Sequence, residues 1–275
     1  MDIKAWDGIF RDTRFERNIK PRLNGINMVL DKNLGTRALA DLLETAGDSI
    51  DQIKLAYGTS VALSECVVRE KIEMIRAHQI QVFPGGTLLE AAIVQGVLPA
   101  FLKRACDLGF SMIEVSDGTI ALPQQQRAEV IQRALDLGFQ VISEVGKKDP
   151  RQQMPVGAMQ AQIGADLAHG AKYVIIEARE GGKGVGIYDE DGAVDEVGLD
   201  ALVTGLEDLE RIVWEAPQCP QQAYLINRFG PNVNLGNIQS VEVLALEALR
   251  RGFRFETLRH AAAEKSPISK SHVSS

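Results

Sequence analysis

Residues 109–146 read GFSMIEVSDGTIALPQQQRAEVIQRALDLGFQVISEVG. Two short apolar runs, Met112–Ser116 and Gln140–Val145, each follow a Gly-Phe pair and each carry one glutamate near their end. Between them, Gln125–Leu137 has the mixed polar and apolar pattern of an amphipathic helix. Two short β-branched runs joined by a helix of this length are the signature of a parallel βαβ unit, because a parallel pair needs a long crossover.

The same unit recurs outward in both directions. Strands are predicted at Ile26–Asp31, Ile50–Ala56, Gln81–Pro84, Met112–Ser116, Gln140–Val145, Tyr173–Ala178, Ile212–Ala216 and Val233–Leu235. Helix-like segments include Val61–His78, Leu88–Leu108, Gln125–Leu137, Val156–His169, Leu199–Leu209, Gln221–Phe229 and Val241–Arg251. Gly109, Gly138, Gly170 and Gly252 stand just past helices, where a left-handed residue commonly ends them. The chain of 275 residues divided over eight units gives about 34 residues each, the scale of a whole barrel of roughly 250 residues. The expected fold is a single (β/α)8 TIM barrel over residues 1–265, with no linker-like interruption. The stretch Glu180–Val197 is expected to be a long loop, with a hairpin turn at Asp191-Gly192. The tail 266–275, SPISKSHVSS, has too little apolar content to pack and is expected to be disordered.

Composition narrows the function. A net charge of −7 without a lysine or arginine run argues against nucleic acid as a partner. No uncharged apolar stretch is long enough for a membrane span, and the N-terminus lacks the pattern of a signal peptide. Cys66, Cys106 and Cys219 lie far apart without a C-x-x-C pair, which suits a reducing compartment, so a cytoplasmic location is expected.

Four successive strand ends share a pattern: Ile-Glu-Val-Ser at 113–116, Ser-Glu-Val-Gly at 143–146, Ile-Glu-Ala-Arg at 176–179 and Trp-Glu-Ala-Pro at 214–217. Because side chains alternate along a strand, Glu114, Glu144, Glu177 and Glu215 should face one point at the C-terminal mouth of the barrel. A single strand-end glutamate is more often a salt-bridge partner than a ligand, but four in equivalent places favour a site. Converging carboxylates repel one another and require cations. Lys54, Lys147, Lys148 and Arg179 are at hand, and the oxygen ligands point to a hard ion such as Mg2+. His78 and His169 fall at helix ends on the opposite face, and His260 and His272 lie in the C-terminal region, which disfavours zinc. Gly85-Gly86-Thr87 and Gly236-Asn237 precede helices and are candidate phosphate cradles.

With these residues together, the chain resembles the phosphosulfolactate synthase family. The resemblance is carried by Lys20-Pro21-Arg22, Lys54 to Ser60 (KLAYGTS), Gly85 to Glu90 (GGTLLE), Ile113 to Thr119 (IEVSDGT), Glu144 to Lys148 (EVGKK), Ile176 to Glu180 (IEARE), Trp214 to Pro217 (WEAP) and Phe229 to Ile238 (FGPNVNLGNI). It implies a barrel lyase that adds sulfite to phosphoenolpyruvate with magnesium, a step associated with coenzyme M biosynthesis. The family also includes plant heat-stress-associated proteins.

On that reading Glu114, Glu144, Glu177 and Glu215 hold the metal. Lys147 protonates the substrate carbon, Lys148 and Arg179 receive sulfite or the carboxylate, and Lys54 with the Gly236-Asn237 backbone holds the phosphate, Gly85 and Gly86 being the second cradle. Assembly into a homo-oligomer is expected. Two alternatives remain open: another magnesium-dependent barrel enzyme on a related enol phosphate, such as an aldolase or mutase, and a non-catalytic stress-associated barrel.

Overall fold

In the computed structural model, which describes residues 4–13 and 16–265, eight parallel strands alternate with helices. The strands are β1 (Asn27–Asp31), β2 (Gln52–Leu55), β3 (Gln81–Phe83), β4 (Met112–Val115), β5 (Gln140–Val145), β6 (Tyr173–Ile176), β7 (Ile212–Glu215) and β8 (Asn234–Gln239). The helices are α1 (Thr36–Ala46), α2 (Glu65–Ala77), α3 (Gly86–Val94), α4 (Leu98–Leu108), α5 (Gln124–Asp136), α6 (Val156–Ala168), α7 (Glu196–Thr204), α8 (Cys219–Phe229), α9 (Val243–Arg250) and α10 (Phe255–Lys265). Ladder pairing runs in the order β3-β2-β1-β8-β7-β6-β5-β4. The seam between β3 and β4 is bridged by Ser111, whose backbone N–H donates to the Val82 carbonyl at 3.1 Å while its Oγ accepts from Val82 N at 2.9 Å. The eight strands thus form a nearly closed (β/α)8 barrel. The expected tail 266–275 lies outside the described residues.

Period-two alternation divides the strand side chains into two cores. Ile26, Met28, Phe83, Met112, Ile142, Tyr173, Ile175 and Val213 fill the barrel interior, while Val29, Ile53, Ile113, Val141, Val174 and Trp214 face the helices. Trp214 stacks on Phe229 of α8 with ring centroids 5.8 Å apart.

Boundaries differ from expectation where glycine chemistry intervenes. The segment Leu88–Leu108 is two helices, because Gly96 at φ +68 ends α3 before Pro99 opens α4. Residues 56–62 wind into 3-10 turns over the mouth, with Tyr57 and Gly58 left-handed, so α2 begins at Glu65 instead of Val61. α1 and α10 had no counterpart among the named sequence segments. The four expected helix-ending glycines do have positive φ, and the Asp191-Gly192 turn joins Tyr188 and Val194 in an antiparallel bridge.

Strand β8 continues to Gln239 where the sequence reading stopped it at Leu235. Asn27 and Val29 of β1 pair with Leu235 and Ile238 of β8, so β8 carries one extra residue. Asn237 adopts φ +57 within this bulge. Bulges re-aim side chains beside active sites.

The N-terminal end of the barrel is closed by cations. Arg250 is buried and donates to Asn27 Oδ1 and to the carbonyls of Ile26, Pro231 and Val233. Lys20 donates to the carbonyls of Gly47, Ile50 and His78, tying together the ends of α1 and α2. Arg22 pairs with Asp51 at 2.8 Å. The Lys20-Pro21-Arg22 motif therefore serves the closed end of the barrel.

Candidate active site

The C-terminal mouth contains a cavity of about 260 Å³. It is lined by the four glutamates, by Lys54, Lys148, Arg179 and Asn237, and by Gly85, Gly86, Thr87 and Tyr57. The glutamates do not lie at one level. Glu114 pairs in register with Ile142 and Glu144 with Ile175, so Glu144 stands two residues further along its strand than Glu114, and Glu177 two further than Glu144. Ile176 pairs with Trp214, which sets Glu177 beside Glu215. Barrel stagger carries them around the mouth, and two lysines gather them. Lys54 Nζ lies 3.0 Å from Glu114 Oε2, 3.5 Å from Glu215 Oε1 and 3.7 Å from Glu144 Oε2. Lys148 Nζ lies 3.1 Å from Glu144 Oε1 and 3.3 Å from Glu177 Oε2.

All four carboxylates are at most 2% exposed. Burial pushes the Glu114 carboxyl up to about 7, against the pull of Lys54. Burial, then the charges of Glu144 and Glu215, holds Glu177 well above the ordinary carboxylate range, and burial raises Glu215 as well. Burial acts on Glu144 in the same sense, but the ammoniums of Lys148 and Lys54 outweigh it and hold this carboxyl below the ordinary range. For Lys54 and Lys148 burial opposes the charge, yet the surrounding carboxylates win and keep both protonated. Glu144 is thus the most acidic of the four carboxyls.

A hard divalent cation fits this donor set. Four carboxylates against two ammoniums leave an excess of two negative charges when all ionise, and the buried Asn237 Oδ1 beside them has no hydrogen-bond donor, whereas Glu114 Oε2 and Glu177 Oε2 are met by the ammoniums of Lys54 and Lys148. Among the described residues no three acidic, His or Cys side chains are gathered as a ready-made ligand set. That narrows the expectation of four protein ligands: magnesium is typically held by one or two carboxylates plus water and substrate oxygens, so it needs no closed cage.

The two adjacent lysines part company. Lys147 Nζ donates to Asp117 Oδ2 at 2.7 Å and to the carbonyls of Asp117 and Ile120 at 2.6 and 3.1 Å, and it does not line the cavity. Lys148 is the one that enters. Lys147, expected as the donor to substrate, is turned onto Asp117, while Lys148, an even four residues beyond Glu144, lies on the same side as that carboxylate. Lys54 sits at the cavity floor, already engaged by three carboxylates. Arg179 is exposed at the rim with φ +62, and its backbone N–H donates to Glu177 Oε1 at 2.5 Å.

The two glycine clusters also diverge. Gly236 is inside β8, its carbonyl accepting from Ala216 N at 3.0 Å, so Gly236-Asn237 is bulged strand and not the turn before a helix. What Asn237 brings to the mouth is its side chain, with Nδ2 donating to the Arg179 carbonyl at 3.1 Å. Gly85 and Gly86 do open α3 at the cavity wall, with no side chain capping the helix. Gly86 is required there, since a Cβ would lie 2.6 Å from Glu114 Oε1 and 2.3 Å from Ser116 Oγ.

Sequence reading missed Glu90. This carboxylate of α3 accepts from Ser116 Oγ at 2.6 Å and from the N–H groups of Thr119 and Ile120, pinning the loop after β4. Its signal was visible: a glutamate in the otherwise apolar run GTLLEAAIV. Tyr57 was also missed as a wall residue; among the described residues four non-glycine residues have positive φ, and three of them, Tyr57, Arg179 and Asn237, line this cavity. Such strained backbone concentrates at functional sites.

Fold and mouth together describe a barrel with a buried, mixed-charge pocket at the end where barrel enzymes act. Residues 15–256 match the family model of (2R)-phospho-3-sulfolactate synthase (ComA). The chain is 43% identical over 244 residues to phosphosulfolactate synthase of Methanothermobacter thermautotrophicus, covering 88% of this chain and 94% of that one. It is 42% identical over 257 residues to the phosphosulfolactate synthase of Methanocaldococcus jannaschii, covering 93% and 98%. A more distant relative, at 24% identity over 86% of this chain and 88% of its own, is Protein HEAT-STRESS-ASSOCIATED 32 of Arabidopsis thaliana. The chain belongs to the phosphosulfolactate synthase family of enzymes. No helix among the described residues is long and apolar enough to cross a membrane.

Proposed function

We propose that this chain is a lyase that joins sulfite to phosphoenolpyruvate, giving (2R)-phospho-3-sulfolactate. The observation that carries the reading is the position of Lys148, whose ammonium stands in the cavity between Glu144 and Glu177. A cavity of about 260 Å³ suits a small acid better than a drug-sized ligand.

In the proposed reaction the sulfur lone pair forms the C–S bond at the methylene carbon, and the C=C electrons move toward the substrate carboxylate as an aci-carboxylate. Lys148 delivers a proton to the neighbouring carbon and is recharged from solvent, so that one sulfite, one phosphoenolpyruvate and one proton give the product. A magnesium ion held by one or two of Glu114, Glu144, Glu177 and Glu215 would supply Lewis-acid stabilisation of that carboxylate. Lys54 keeps the carboxylates at the cavity floor in place. The uncapped start of α3 at Gly85-Gly86 is the seat for the phosphate, since free N–H groups and the helix dipole favour an anion there. Arg179, at the rim, meets the incoming anion.

The test is turnover of phosphoenolpyruvate with and without sulfite, at fixed magnesium. Sulfite-dependent loss of phosphoenolpyruvate with formation of a sulfonate is expected. Consumption that ignores sulfite would instead favour a barrel enzyme on a related enol phosphate.

A further inference from the structure

Behind the mouth lies a second charged group with no face on the cavity. Arg127 of α5 is 1% exposed, and Asp166 of α6 is equally buried. Arg127 Nε donates to both Asp166 oxygens at 2.9 and 3.0 Å, and Nη2 donates to Asp166 Oδ2 at 2.7 Å. The same Nη2 reaches the Glu144 carbonyl at 2.8 Å and the Val115 carbonyl at 3.3 Å. Nη1 donates to Asp117 Oδ1 at 3.0 Å, and the other oxygen of Asp117 accepts from Lys147 Nζ at 2.7 Å. The set holds two carboxylates and two cations, so it is neutral.

Burying the Arg127–Asp166 pair and partly burying Asp117 and Lys147 is a costly way to join two helices, and a well-packed apolar pair would do that as well or better. What an apolar pair could not do is hold the backbone at the ends of β4 and β5 and, through Asp117, a lysine. Lys147 has three ammonium protons and three acceptors, Asp117 Oδ2 and the carbonyls of Asp117 and Ile120. Nothing remains to donate to a substrate. Lys148 passes the other way along Gly118, where a Cβ would lie 3.0 Å from its Nζ and 3.2 Å from its Cγ. Its backbone N–H is fixed on the Gly118 carbonyl at 3.0 Å. Counting by twos from Glu144 puts Lys148 on the mouth side, but the strand ends at Val145 and no ladder pairing holds Lys147 to the opposite side. The contacts of Lys147 do.

We propose that Asp166, Arg127, Asp117 and Lys147 form a positioning chain, buried at its Arg127–Asp166 end, that sorts these two lysines, holding Lys147 out of the mouth so that Lys148 enters it. The inference rests on the mouth being the reaction site. None of the four touches the cavity, so they are positioning residues and act through Lys148.

The test is a double-variant cycle on the full chain with magnesium, phosphoenolpyruvate and sulfite. If Lys147 acts only through Lys148, Lys147→Met lowers kcat by roughly ten- to hundredfold, and the Lys147→Met/Lys148→Met double variant is no slower than Lys148→Met alone. Lys147→Arg, which keeps a cation for Asp117, restores turnover to within about fivefold of the parent. Asp117→Asn, nearly isosteric, serves as a second variant should Lys147→Met fold poorly. In parallel, trace acetylation with acetic anhydride is mapped by peptide. Lys148 labelling rises by about tenfold in Lys147→Met and Asp117→Asn, while Lys54 labelling stays as in the parent. Multiplying losses in the double variant, or Lys148 labelling that neither change alters, overturns the proposal. If the parent enzyme does not turn over phosphoenolpyruvate with sulfite, the reaction reading fails alone, because the labelling arm needs no substrate.

Discussion

Both ends of this barrel bury charge, and they do so in opposite ways. At the closed end every Arg250 contact is with a fixed acceptor, three carbonyls and the Asn27 amide oxygen, and Lys20 is shared among three carbonyls. At the mouth the buried groups are acids in excess of their cations, the buried Asn237 Oδ1 lacks a hydrogen-bond donor, and three residues hold positive φ. A saturated polar cluster fixes structure. An unsaturated, strained one keeps capacity for a ligand.

The largest effect separating the two ends is expected from Lys148→Ala. Turnover of phosphoenolpyruvate with sulfite should fall by roughly a hundred- to ten-thousand-fold, the usual cost of losing a general acid, without a lower thermal midpoint. Near-normal turnover in Lys148→Ala, with collapse in Lys147→Ala, would return the proton donor to Lys147.

Arg250→Met should do the converse. Its loss leaves buried carbonyls without donors, so denaturant unfolding should show about 3 kcal/mol less stability, while turnover per folded molecule is unchanged. A stable but inactive variant would make the closed end part of the catalytic machinery and erase the contrast.

Gly86→Ala touches the mouth alone. The added methyl meets Glu114 and Ser116, and overpacking of this kind costs about 1–3 kcal/mol. The Michaelis constant for phosphoenolpyruvate should rise as well, because the start of α3 is displaced from the cavity wall.

The smallest effect concerns metal and pH. In metal-free protein Glu114 has a folded-state value raised by burial to about 7, above its unfolded value. A raised acid favours the fold below the unfolded value, and that contribution is lost as pH rises through the folded one. Stability of the metal-free protein should therefore decline from about pH 5 to about pH 8. Magnesium should raise the melting temperature by a few degrees at the upper pH and by little at the lower, as read by differential scanning calorimetry. Equal shifts at both pH values would mean that the cation binds away from these carboxylates.

Much of the site was legible because strand periodicity is local. Glu114, Glu144, Glu177 and Glu215 could be assigned to one face from their spacing to neighbouring β-branched residues, and all four line the cavity. The capture of Lys147 was not legible, since it depends on Asp117, 30 residues away. The strand through Gly236-Asn237 was missed for a similar reason: a bulge against β1 extends β8 through a stretch that reads as loop.

By itself, the sequence determined the number of βα units, their parallel direction, the single barrel and the family, because each follows from hydrophobic period, helix-ending glycines and contiguous motifs. Only the tertiary structure decided the stagger of the carboxylates, their capture by Lys54 and Lys148, and the withdrawal of Lys147 onto Asp117. Those are contacts between residues far apart in the chain. Their energies depend on burial and on which charges face one another, and neither is set until the barrel closes.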